Sequence, residues 1–228
     1  MNSGIRFEDV SVEFSGRPVL RDLSLDLDHR RIAVIGANGS GKSTFARMLN
    51  GLVTPTRGEV RVHGIDPARQ PKRVRRRVGF VFSNPDAQII MPTVAEDVGF
   101  SLRGQGLSRP EIQARVAAAL DRFGLTEQAD APAQTLSGGQ KQLLALCAVL
   151  IREPGLVVAD EPTAYLDAAN SRRIAGFLLD EMPQQLVIVT HDPRLAVRCD
   201  VALRFEAGTL VDHGDPVAVV ARYEEEQR

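Results

Sequence analysis

This sequence predicts an α/β fold: a mixed sheet at the core, antiparallel strands beside it and a helical insertion. Three observations lead there. Short apolar runs such as Arg31–Ile35 and Leu156–Ala159 end at a glycine or an acid and give way to helical patterns, as strands buried on both faces do. Alternating patterns appear near the N-terminus, in Ile5–Val12 and in Ser24–Leu27, where Leu25 and Leu27 are apolar and Asp26 and Asp28 polar. From Val94 to about Ile151 the spacing turns mainly helical before strands return.

Ile5–Val12 and Ser24–Leu27 read as antiparallel strands, followed by the buried strand Arg31–Ile35 ending at Gly36. A helix is expected over Lys42–Asn50, stopped by Gly51 and Pro55. Val60–Val62 and Val78–Phe82 read as strands. The helical insertion, about 94–151, contains a capping-box start at Ser108–Glu111 and amphipathic spacing through Ile112, Val116, Leu120 and Phe123. Strands are expected again at Leu156–Ala159, Leu186–Thr190, Val201–Phe205 and Thr209–Val211, with helices between the first three and a last helix near Pro216–Tyr223.

The 228 residues have a net charge of −1 and are 43% hydrophobic, which suits one domain over 1–228. Aromatics are sparse at 5%, with no Trp, so a base-stacking surface has little to work with and no nucleic-acid partner is expected. Cys147 and Cys199 read as buried small hydrophobes of a reducing compartment rather than a disulfide framework. The most apolar stretch, Leu143–Ile151, is well short of the roughly 20 residues that span a bilayer. The N-terminus has no apolar signal core. A soluble chain is expected, held at a membrane only through another protein. The basic run Arg69–Arg77 is short, lacks aromatics and precedes a core strand, so it reads as a solvated helix face rather than a nucleic-acid or lipid patch.

Gly36-Ala37-Asn38-Gly39-Ser40-Gly41-Lys42-Ser43-Thr44 matches the phosphate-loop pattern in full, between a strand and a helix. In such a loop backbone N–H groups wrap the β-phosphate, Lys42 neutralises β and γ oxygens, Ser43 ligates Mg²⁺ and Thr44 supports the α-phosphate. Asp160 and Glu161 close a buried strand, where neighbouring side chains point to opposite faces, so the two acids are expected to work differently. Ser137, Gly138, Gly139 and Gln140 open a helix: N–H groups and the positive helix end form a second anion site. Two phosphate-binding surfaces in one chain suit a head-to-tail dimer, each chain capping its partner's nucleotide.

Read together, the phosphate loop, Leu136–Gln140 and the acid pair resemble the ATP-binding cassette family, the ATPase subunits of ABC transporters. The resemblance covers essentially the whole chain and implies that family's phosphate-loop NTPase fold, ATP and Mg²⁺ as cofactors, and a second ATPase subunit, expected to be identical. It assigns Asp160 to Mg²⁺ and Glu161 to the water that attacks ATP, as general base. His191 takes the place of a switch histidine that bridges the γ-phosphate and the opposite subunit. Asp167 corresponds to an acid that crosses the dimer interface, and Phe14 to an aromatic stacked on adenine. Ser83 stands where the family normally has a Gln that senses metal and γ-phosphate, and is expected to serve the metal through a shorter reach. Gln88 is the alternative residue for that reach, but the resemblance turns it, with Asp86, towards a membrane partner. The histidines His29, His63 and His213 are assigned nothing.

Asn84–Gln88 followed by Val94–Val98 resembles the ATPases of energy-coupling-factor importers, which take up vitamins and metal ions. Lys141–Leu144, Ala159 and Asn170–Arg173 are most similar to the biotin-transport branch, with cobalt, nickel and other vitamin branches as alternatives. The partners implied are a transmembrane coupling subunit, whose helix is received by Pro85–Met91, and a substrate-binding membrane subunit. That places the chain at the cytoplasmic face of the membrane. A soluble cassette ATPase of DNA repair or the ribosome is the reading from another class.

Overall fold

Two sheets organise the chain, which the computed structural model describes over residues 4–227; Met1–Ser3 and Arg228, the ends of the expected 1–228 domain, lie outside the described residues. The N-terminal hairpin pairs β1 (Ile5–Phe14) with β2 (Arg17–Leu27). After it come β3 (Arg31–Ile35), α1 (Lys42–Met48) and β4 (Arg57–Val62). β4 pairs with β1 and completes a three-stranded antiparallel sheet, in the order β2-β1-β4.

Next are α2 (Pro71–Arg77) and β5 (Val78–Val81), then a helical segment of α3 (Val94–Phe100), α4 (Arg109–Phe123) and α5 (Gly138–Leu150). The remaining elements are β6 (Leu156–Asp160), α6 (Ala168–Gly176), β7 (Gln185–Val189), α7 (Pro193–Ala196), β8 (Val201–Glu206), β9 (Thr209–Gly214) and α8 (Pro216–Glu226). The second sheet runs β5-β6-β7-β3-β8-β9; its first five strands are parallel and β9 is antiparallel. This is the mixed α/β architecture expected.

The parallel strands are mostly apolar because both faces are covered, with Arg31, Asp160, Gln185 and Arg204 among the exceptions. Ile32, Val34, Val158, Val187 and Val189 face a core shared with α1 and the antiparallel sheet, where Phe45 stacks on Phe7 at 4.9 Å. Ala33, Ile35, Val157, Ala159 and Ile188 face the opposite core, filled from α3 to α6. The parallel order β6-β7-β3 places the C-terminal ends of these strands side by side, so the turns that follow them converge.

Several boundaries differ from the sequence reading. The second strand begins at Arg17 rather than Ser24, because bulges interrupt its alternation: Asp9 and Asp22 have φ of 48° and 45°, and the register shifts near both. The helix expected to reach Asn50 ends at Met48, and α8 extends to Glu226. α6 runs into a π-turn over Phe177–Glu181. There the buried Arg31 donates to the carbonyls of Leu179, Met182 and Gln184. The capping box at Ser108–Glu111 forms as expected, and Gly124, in the left-handed region, ends α4.

Candidate functional site

Gly36 to Thr44 join β3 to α1 at the convergence of strand ends. Two glycines in this loop are fixed by crowding. A Cβ on Gly36 would lie 2.1 Å from the Phe205 carbonyl oxygen, and one on Gly41 2.7 Å from Leu20, both at positive φ. Gly39 also has positive φ but faces open space, the side from which a phosphate would approach. The Lys42 ammonium is buried and folds back onto its own loop, donating to the carbonyls of Gly36 at 2.7 Å and Ala37 at 2.8 Å. Its pKa is lowered by loss of solvent, partly offset by the nearby Glu161 and Asp160 carboxylates.

The adjacent cleft is lined by Asn38, Gly39, Lys42, Ser43, Thr44 and Glu161, together with Val19 and Val189. The Ser43 hydroxyl donates to Asp160 Oδ1 at 3.2 Å, and Asp160 is 5% exposed at the end of β6. These two hard oxygens suit Mg²⁺, which binds few protein oxygens and retains water and phosphate ligands. The Ser40 hydroxyl, buried in the same loop, has no hydrogen-bond partner within the chain, which fits a loop shaped for an anion.

Glu161 departs from strand geometry at once. Its φ is 52°, and its N–H donates to the Val189 carbonyl at 2.9 Å, so the chain turns across the end of β7. This brings its carboxylate to His191: Oε2 lies 2.8 Å from Nδ1 and accepts from the His191 N–H at 3.4 Å. The two acids therefore separate in environment as well as direction. Asp160 serves Ser43, and Glu161 carries an exposed imidazole.

Ser137 caps α5 in a capping box: its hydroxyl accepts from Gln140 N–H and Gln140 Oε1 from Ser137 N–H. Ser137 and Gly138 are exposed, whereas Gly139 is buried against α6 of the same chain. A Cβ on Gly139 would sit 2.4 Å from Asn170 Cγ, so this glycine is fixed by helix packing, a role the sequence did not announce. Asp167 caps α6, accepting from the N–H groups of Ala169 and Asn170 and from Asn170 Nδ2; these bonds lower its pKa.

The segment after β5 is tied to α5 twice. Lys141 Nζ donates to Asp86 at 2.7 Å, while Gln88 accepts from Phe82 N–H and donates to the Ala145 carbonyl. Gln88, expected to face a membrane partner, is thus engaged within the chain; Asp86 stays exposed. Ser83 lines a cleft with Asp86, Gly138, Lys141 and Tyr165 rather than the phosphate-loop cleft. Phe14 is 50% exposed where β1 ends. Lys141 and Asn170 are the contacts that sequence reasoning passed over; the spacing of three from Asp167 to Asn170 was the one available signal.

Among the described residues no helix is long and apolar enough to cross a membrane. Beside Phe82 and Gln88 lies an open groove whose lining includes Ile90, Asp97, Phe100 and Arg75. The buried Asp97 accepts from the N–H groups of Ile90 and Met91 and so fixes one wall.

A family profile described as ABC transporter matches residues 20–164. The biotin transport ATP-binding protein BioM of Rhizobium etli is 44% identical, over 97% of this chain and 98% of its own. The energy-coupling factor transporter ATP-binding protein EcfA1 of Latilactobacillus sakei is 36% identical, over 91% of this chain and 76% of its own. The solved structure of cbiO1 from Clostridium perfringens, part of the ABC transporter complex cbiONQ, superposes with a TM-score of 0.86 at 30% identity, over 98% of this chain and 92% of that one.

Proposed function

The chain belongs to the ABC transporter family as one of its ATP-hydrolysing subunits, and from that premise we propose that it powers an energy-coupling-factor importer of a vitamin, biotin first. The support for biotin is the 44% identity to a protein named for biotin transport, against 30% to cbiO1. The catalytic reading is carried by one observation: the Glu161 carboxylate stands beside the phosphate loop and is held at 2.8 Å by His191.

In this reading the N–H groups of Gly39–Lys42 wrap the β-phosphate of ATP, and Lys42 leaves the carbonyls of Gly36 and Ala37 for the phosphate oxygens. Phe14 stacks on adenine. Mg²⁺ would be held by Ser43 and Asp160 and would supply charge neutralisation on the phosphates. Glu161 takes the proton of the attacking water, and His191, bound through Nδ1, keeps that carboxylate in place. Ser137 and Gly138, exposed at the positive end of α5, cap the nucleotide of a second identical subunit, with Asp167 at the shared boundary. Ser83 would reach the metal only if a closure brought its cleft up to Ser43 and Asp160. Closure is passed through the insertion of α3–α5 to a transmembrane coupling subunit seated beside Pro85–Met91. A separate membrane protein captures the vitamin, and this chain stays on the cytoplasmic face.

Glu161→Gln tests the assignment. ATP binding should persist while turnover falls on the order of 10²–10⁴-fold, and the closed dimer should accumulate with ATP in size-exclusion chromatography. Hydrolysis at the parental rate would remove Glu161 as the base. Copurification with tagged membrane subunits, followed by identification of the bound ligand, tests the vitamin.

A further inference from the structure

The basic run Arg69–Arg77, a solvated face by sequence alone, has a defined setting in the fold. α2 presents Val74 to the core and Lys72 and Arg76 to the opposite side, with Arg73, Arg75 and Arg77 at the flanks, all exposed. Arg69, just before the helix, is matched by Asp66 at 3.3 Å. Among the described residues none of the other five has a carboxylate within ion-pairing distance; Arg73 donates instead to Gln70, and Arg75 to the carbonyls of Asn50 and Gly51. Five unmatched positive charges stand within one short helix of a chain whose net charge is −1. Arg75, Arg76 and Arg152 also line the groove that contains Gln88, Ile90 and Phe100, so the charged face continues the lip of that groove.

We infer that the exposed face of α2 is a docking surface for anionic lipid headgroups, beside the seat of the transmembrane subunit. The inference rests on the reading that this chain is held at a membrane. The occupant follows from chemistry: flexible ammonium and guanidinium groups on a convex helix, with no aromatic among them, suit a dense sheet of phosphates rather than stacked bases. The surface orients the subunit so that its groove faces the bilayer, and it adds affinity that the coupling helix need not supply. The attraction is long-ranged and therefore screened by salt.

The test is sedimentation of the purified full chain with vesicles of phosphatidylcholine alone or mixed with phosphatidylglycerol, for the parent and for Lys72→Gln/Arg73→Gln, two residues that do not line the groove. The parent should pellet with the anionic vesicles only, more weakly as ionic strength rises. The variant should lose at least about tenfold in apparent affinity while its ATP hydrolysis and thermal unfolding stay at parental values. Equal pelleting of parent and variant, equal pelleting with neutral vesicles, no pelleting, or tighter binding of single-stranded RNA than of anionic vesicles would each overturn the inference. If the parent still copurifies with its membrane subunits in any of those cases, the lipid surface alone falls. If it does not, the transport reading falls as well.

Discussion

Replacing Gly139 by alanine should destabilise this chain before any nucleotide is present, whereas the same change at Gly138 should not. Both glycines lie in the first turn of α5 with helical backbones, so neither is needed for its φ, and alanine raises helix propensity similarly at both. They differ in what a methyl group meets. At Gly138 the nearest atom is a Leu166 methyl at 3.9 Å, an ordinary contact; at Gly139 three atoms of the Asn170 amide lie at 2.4–2.7 Å. That amide is held by Asp167, so it cannot swing away without giving up a bond of the α6 cap. Overpacking of this kind costs about 1–3 kcal/mol. For a chain of this length ~2 kcal/mol corresponds to a gap of about 4–8 °C in Tm between the two variants. Thermal unfolding of Gly138→Ala and Gly139→Ala without ATP measures it. Repeating the pair in an Asn170→Ala background should close the gap, since the clashing atoms are gone. Equal unfolding temperatures of the two variants, or a gap that survives Asn170→Ala, would refute a packing role for Gly139.

The pair Lys141–Asp86 is open to solvent on its acidic side, so Asp86→Asn should cost under about 1 kcal/mol in chemical denaturation and yet slow ATP turnover, because it frees the Ser83 loop from α5. The exchanged pair Asp86→Lys/Lys141→Asp should recover turnover better than either single change; no recovery would make the pair incidental. Burial pushes the thiols of Cys147 and Cys199 up to about 12 from an ordinary 9.0. Each stays neutral in the folded chain while its unfolded counterpart ionises. Their contribution to stability is therefore whole below about pH 9 and lost between about 9 and 12, at up to ~1.4 kcal/mol per thiol per pH unit. Denaturation at stepped pH should show that slope, and Cys147→Ala should flatten it; an unchanged slope would contradict the burial argument.

How far the site could be read from residues alone depended on how local its cause was. The loop from Gly36 to Thr44, the cap at Ser137 and the acids after Leu156–Ala159 are set by contiguous residues, so composition and spacing carry them. The strand over Arg17–Leu23 was illegible because bulges at Asp9 and Asp22 break the two-residue alternation that reveals a strand. The π-turn after α6 is held by Arg31, more than a hundred residues away, and has no periodicity of its own. The inward turn of Gln88 is decided by the Ala145 carbonyl on α5, and the burial of Gly139 by Asn170 on α6. Nothing adjacent in sequence marks either.

The claim at the centre of this account is that one chain's phosphate loop works with another chain's α5. Mixing Lys42→Ala with Gly138→Asp tests it most directly, because each variant damages a different half of the composite site and Gly138 is exposed, with no atom of its own chain nearer its Cβ position than Leu166 at 3.9 Å. Each variant alone should be inactive. Mixed with random pairing, they should recover roughly a quarter of the parental ATPase rate, since half the dimers would carry one intact site of two. A mixture shown to contain mixed dimers that stays inactive would contradict the head-to-tail site.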